Sequence, residues 1–180
     1  MKMLKQFARA LAATAAICAI TACQQPTSGV GTAATYQCTM EETTITDGVT
    51  VSALYTMSFY DDNTWVYHSD ATTVYTKSAT VVVSMRSNVD SYSGTYTGDP
   101  TTDSTVICTP TKAINLETMQ TKLTALEEEV EAATASKTYT FTNADFPLEA
   151  LSADEQEAYK VTLTISNGKA TYNGLTYTRQ

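Results

Sequence analysis

The feature that most constrains this chain is an alternation of period two that runs through most of its length. Val49, Val51, Ala53, Tyr55, Met57 and Phe59 share one parity of a single run, and Thr50, Ser52, Thr56 and Ser58 share the other. Successive side chains of a strand point to opposite faces, so the run makes a strand with one apolar and one hydroxyl-bearing face. The alternation returns at Trp65 and Tyr67, at Ala79, Val81, Val83 and Met85, and at Tyr92 and Tyr96. It continues at Val106 and Cys108, at Tyr139 and Phe141, and at Val161, Leu163 and Ile165. Asp61-Asp62-Asn63, Asn167-Gly168 and Asn173-Gly174 separate such runs, and Asn-Gly is a strong signal for a two-residue hairpin. The 35 threonines, and 11 tyrosines against 4 phenylalanines, suit half-buried strand faces. At 180 residues the chain carries one such domain. The expected class is mainly all-β, an antiparallel up-and-down barrel of about eight to ten strands.

One segment breaks the rhythm. Leu116, Met119, Leu123, Leu126 and Val130 step by three and four, Glu127 to Glu131 is acidic, and Asn115 is a good N-cap. This predicts one inserted amphipathic helix over about residues 115–134. It packs on the barrel wall, closes the barrel's mouth, or serves as a partner-binding or coiled-coil surface. Two heptads are short for a coiled coil, which favours packing within a monomer. Ser152 and Glu155 form a capping-box pattern for a second, short helix.

Lys2, Lys5 and Arg9 followed by the apolar stretch Leu11 to Ile20 read as a targeting signal and not as part of the fold. The stretch ends in Ile20-Thr21-Ala22-Cys23, which resembles the bacterial lipobox. That resemblance implies cleavage after residue 22, lipidation at Cys23 and a membrane anchor of several acyl chains. Gln24 follows the cysteine where an Asp would mark inner-membrane retention. The implied location is therefore the bacterial cell envelope, at the outer membrane. Residues 23–34 read as the lipidated Cys and a flexible tether, and residues 35–180 as the barrel domain. The formal charge of −8, which becomes more negative without the leader, argues against nucleic acid as a partner.

With Cys18 in the leader and Cys23 lipidated, Cys38 and Cys108 remain as an even pair in an oxidising compartment. They read as a disulfide closing a loop of about 70 residues. Two buried thiols are the alternative.

No catalytic, cofactor or metal constellation stands out, and the chain reads as a non-enzyme. His68 is the single histidine and has no spaced Cys or His partner. Asp99 and Asp103 in the Gly98–Asp103 stretch read as turn chemistry, because the glycine and terminal Glu of an EF-hand loop are missing. The remaining constellation is aromatic. Tyr55, Phe59, Trp65, Tyr67, Tyr92, Tyr96, Tyr139, Tyr172 and Tyr177 all fall on the apolar parity of their runs. Such an interior either lines a semi-polar ligand cavity or fills the core.

The stretch Ser58-Phe59-Tyr60-Asp61-Asp62-Asn63-Thr64-Trp65 resembles the turn motif of small bacterial lipocalin-like lipoproteins. Tyr92 to Pro100 (YSGTYTGDP) and Asn173 to Arg179 (NGLTYTR) are similar to their later strands. The resemblance implies a calycin-type up-and-down barrel and no defined activity. Together with the Tyr-rich inward parity it leads to the expectation of a small apolar or amphipathic ligand bound inside the barrel near Trp65. A second resemblance, through Tyr36-Gln37-Cys38, Val49-Thr50-Val51 and Ser93-Gly94, is to membrane-bound lysozyme inhibitors. It implies a protein-binding module, an inhibitor or adhesin, with a filled barrel. Here no Lys or Arg follows Tyr96 in the expected loop.

Overall fold

The computed structural model describes residues 30–46 and 48–180. The leader, Cys23 and most of the tether lie outside the described residues. Four long strands open the domain: β1 (Thr32–Thr46), β2 (Val49–Tyr60), β3 (Thr64–Ser78) and β4 (Val81–Thr97). After β5 (Thr105–Ile114) come α1 (Leu116–Ala132), β6 (Lys137–Thr142), β7 (Leu148–Ala150) and α2 (Ala153–Ala158). The short strands β8 (Val161–Ser166), β9 (Lys169–Tyr172) and β10 (Leu175–Arg179) end the chain. β1 begins at Thr32, so the barrel takes in the last residues expected in the tether.

β1 to β5 pair in sequence, β5 pairs with β8, β8 to β10 pair in sequence, and β10 returns to β1. The result is a closed eight-stranded antiparallel barrel in up-and-down order, as the alternation predicts. Closure removes the exposed edges that would otherwise invite aggregation. The Asn-Gly turns work as expected. Asn167 and Gly168, and Asn173 and Gly174, all take positive φ, the requirement of a type I′ hairpin.

β4 is longer than the barrel needs, and it changes partner midway. Residues Tyr92 to Thr97 pair with β5, whereas Val83 to Asn88 pair in parallel with β6, outside the barrel proper. Between these halves, Tyr67 and His68 on β3 face Tyr92 and Asp90, which leaves Ser91 as an extra residue. A one-residue bulge of this kind flips the parity of a strand. Val83, Met85 and Val89 are therefore buried before it, and Gly94 and Tyr96 after it.

The helix forms where its spacing predicts. Asn115 Oδ1 accepts from Thr118 N–H at 2.9 Å as the N-cap. Leu126 and Val130 pack against Val49, Tyr75, Val83 and Met85, the inner face of the long strands beyond the barrel. Met119 packs with Val89, Ile114 and Phe146. Lys77 on β3 donates to the Glu131 and Ala133 carbonyls, the end of the helix that no intrahelical N–H satisfies. Leu116 departs from the expected stripe: it is 48% exposed. The second helix also forms as expected, with the Ser152–Glu155 capping box closed in both directions.

The expected disulfide is not present. Cys38 and Cys108 are both free thiols. Cys38 lies on β1 and Cys108 on β5, four strands apart in either direction around the barrel. Opposite walls of an eight-stranded barrel stand farther apart than the ~7 Å Cα separation a disulfide tolerates. Parity placed both cysteines on the inner face but carried no information on which walls they occupy. Burial pushes the pKa of both thiols up, Cys108 the more strongly.

Candidate functional site at the barrel mouth

The barrel interior is occupied by its own aromatic side chains. Tyr67 stacks on Tyr55 with ring centroids 6.5 Å apart and meets Tyr172 edge-on at 5.9 Å. Its hydroxyl hydrogen-bonds that of Tyr177. Phe59 lies edge-on to Tyr36 at 6.1 Å and to Tyr96 at 5.1 Å. Edge-on and stacked contacts at these distances are favourable and fill space. Tyr55, Phe59, Trp65, Tyr67, Tyr96 and Tyr177 thus all reach one core cluster, with Tyr92 and Tyr172 partly buried against it. Tyr139 does not belong to this set. It sits on β6 outside the barrel, packs with the helix cluster, and donates to Glu129 Oε2 at 2.8 Å. Its parity matched the others, but its strand pairs with the extension of β4 and not with the barrel wall.

One end of the barrel is closed by residues 98–104. Tyr36 Oη donates to the Pro100 carbonyl at 2.7 Å, and Ser104 exchanges backbone hydrogen bonds with Ile165. Asp99 Oδ1 accepts from Thr101 N–H at 2.8 Å and Thr101 Oγ1 at 2.6 Å, which holds its carboxyl below the usual range. Asp103 Oδ1 accepts from Asn167 N–H at 2.8 Å. Both carboxylates are thus spent on turn geometry, as expected. Asp62 is used in the same way by Thr64. No group of three His, Cys, Asp or Glu side chains suited to a metal occurs among the described residues.

His68 has partners that sequence reading did not find. Its Nδ1 lies 3.4 Å from Asp90 Oδ1, and Asp90 Oδ2 accepts from Asn143 Nδ2 at 2.6 Å. Asn143 Oδ1 in turn accepts from the Asp90 backbone N–H at 2.6 Å. Asp90 is 1% exposed, and this desolvation pushes its pKa up against the lowering pull of His68 and Asn143. His68 and Asp90 face away from Tyr67 and Ser69, so the cluster fastens the segment after β6 to the barrel's outer wall. Nothing in the sequence around Asp90 marks it as buried, because the cover comes from a residue 53 positions away.

At the other end, a cleft of about 210 Å³ opens beside the β4 bulge. Tyr92, the last of the inward aromatic residues, forms its floor and connects it to the core. Leu116, at the start of α1, and Tyr159, at the end of α2, form apolar walls. The Tyr92 and Tyr159 rings stand 6.2 Å apart at 49°. Of the large apolar side chains exposed on the described surface, Ile107, Leu116 and Tyr159, two meet here, at 48% and 41% exposure.

Local structure explains each wall. β7 pairs with the end of β5, setting Glu149 opposite Ala113. The Leu151 N–H donates to Thr111 O at 2.9 Å, and Gln156 Nε2 donates to Leu151 O at 2.9 Å. Asn115 Nδ2 donates to Glu149 Oε2 at 3.0 Å and holds that carboxylate at the rim. Burial beside Tyr172 and Tyr159 raises the Tyr92 pKa to about 12, so the floor is uncharged at neutral pH. The arrangement offers apolar contact, two aromatic faces and carboxylates, and it suits binding. No family model, curated protein or solved structure matches this chain. Of the residues foreseen as cavity lining, Tyr92 alone lines the cleft. Tyr159 was missed, although a lone tyrosine ending the charged stretch Ala153-Asp-Glu-Gln-Glu-Ala158 was a usable signal.

Proposed function

We propose that this chain is a lipid-anchored bacterial envelope protein of lipocalin-like type that binds a small amphipathic molecule at its barrel mouth, without catalysis. The observation that carries the reading is that Leu116 and Tyr159, both exposed, line one cleft with Tyr92. Large apolar side chains left in water at a concave site are the informative exception on a soluble surface. Aromatic side chains occupy the barrel interior, so a ligand at the mouth meets the outermost of them, Tyr92. The closed up-and-down barrel supports the lipocalin-like reading, and Ile20-Thr21-Ala22-Cys23 supports the anchor and the outer-membrane address.

Two tests follow. Calorimetric titration of the purified full-length chain with 1-octanol is expected to show saturable binding. Tyr159→Ala should weaken it about tenfold, since losing a ring contact worth about 1.4 kcal/mol changes affinity by that factor. Absence of binding, or binding indifferent to Tyr159→Ala, contradicts the mouth as the site. For the anchor, cells fed labelled palmitate should label the parent chain and leave Cys23→Ser unlabelled and soluble. Equal labelling of both would remove the lipoprotein reading.

A further inference from the structure

We propose that the cleft selects amphiphiles whose polar end is a positively charged nitrogen; this rests on mouth binding as proposed above. The lining contains two carboxylates, Glu149 and Glu155, and no Lys or Arg. Glu155 Oε2 is occupied by the Ser152 backbone N–H at 2.8 Å and the Ser152 hydroxyl at 2.6 Å. Glu149 Oε2 accepts one bond, at 3.0 Å, from the Nδ2 of Asn115, whose Oδ1 caps α1. The nearby Lys160 is paired with Glu157.

The remaining polar surface also favours a cation. The Tyr92 and Tyr159 rings both line the cleft, 6.2 Å apart, and aromatic rings attract cations through the negative quadrupole of their faces. The N-terminus of α1 opens on the same rim, where an anion would otherwise find support. At that end Asn115 Oδ1 caps the Thr118 N–H, and Glu117 in the first turn already supplies a negative charge. An anionic head group would face both carboxylates within a chain of net charge −8. A trimethylammonium or alkylammonium group set between Glu149 and the two rings, with its alkyl tail against Leu116 and Leu151, meets complementary chemistry at each contact.

The test uses three probes with one tail length, octyltrimethylammonium, 1-octanol and octanoate, titrated calorimetrically into the full-length chain. Octyltrimethylammonium is expected to bind about tenfold tighter than 1-octanol, and octanoate weakest. Glu149→Gln keeps an oxygen for Asn115 and removes the charge. It should bring octyltrimethylammonium down to about the affinity that the parent chain shows for 1-octanol. Equal binding of the three probes, or preference for octanoate, overturns the charge selection while mouth binding stands. A cation preference that survives Glu149→Gln and disappears in high salt belongs to the net charge of the chain and overturns the site. Failure of all three probes to bind removes the mouth-binding reading itself.

Discussion

Gly94→Ala is expected to destabilise the domain by about 3 kcal/mol, the upper range for an overpacked core site. A Cβ at Gly94 would overlap the Thr109 carbonyl oxygen and stand 2.7 Å from Pro110 Cα and 2.8 Å from Thr111 N. All three are backbone atoms of β5, so relief requires β4 and β5 to separate where they close the barrel. Gly94 pairs with Trp65 on one side and Pro110 on the other, and the register shifts between Ser93 and Gly94. A proline cannot donate to the ladder, which is consistent with an irregular pairing at this point. Gly174→Ala is the control. Gly174 has φ 76° and open space around its missing Cβ, so its cost is conformational only, about 1 kcal/mol. In a domain of this size each kcal/mol moves the melting temperature by about 2–4 °C. Thermal unfolding should therefore place Gly94→Ala well below Gly174→Ala. Equal melting of the two would mean that β4 and β5 do not approach closely at Gly94.

Val130→Asp is expected to cost more still, about 3–5 kcal/mol, because it buries a carboxylate with no partner. Val130 is 1% exposed and packs with Leu126 on Val49, Tyr75, Val83 and Met85. Glu131 and Glu129 flank it in sequence, so a further acid also meets like charge. Leu116→Asp on the same helix should stay within about 0.5 kcal/mol of the parent, as exposed substitutions do. Circular-dichroism melts of the two variants separate the readings of the helix. If Val130→Asp melts like the parent while an oligomer dissociates, α1 is a partner surface and does not cover the sheet.

The parts of this fold that were legible in the sequence are those decided by neighbours along the chain. Period-two runs located the strands because a pleated backbone alternates its side chains whatever it pairs with. Asn167-Gly168 and Asn173-Gly174 marked hairpins because their positive φ is a property of those residues. Asn115 and Ser152 marked helix starts because a cap bonds an N–H only three positions on.

What was illegible depends on pairings across long separations. Cys38 and Cys108 share inward parity, but their distance is set by the strand order of the closed barrel. Tyr139 has the alternation of a barrel residue, yet its strand lies against an extension of β4 that only the change of partner at the bulge creates. Leu116 keeps the helix spacing, but as the first residue of α1 it lines the cleft and stays exposed. The cleft is assembled from β4, the β5–α1 corner, β7 and α2, and no local pattern could announce it. Only the two isolated apolar exposures, Leu116 and Tyr159, disclose it once the fold is known.

In the proposed function the ligand sits at the mouth of the barrel and not inside it. Methyl-resolved NMR of the full-length chain titrated with octyltrimethylammonium addresses this directly. The methyls of Ile114, Leu116 and Leu151 line the cleft, whereas those of Val106, Leu163 and Ile165 lie in the core. Saturable shifts at Ile114, Leu116 and Leu151, with Val106, Leu163 and Ile165 unmoved, are the expected result. Saturable shifts concentrated at Val106, Leu163 and Ile165 would place the ligand in the interior and contradict it.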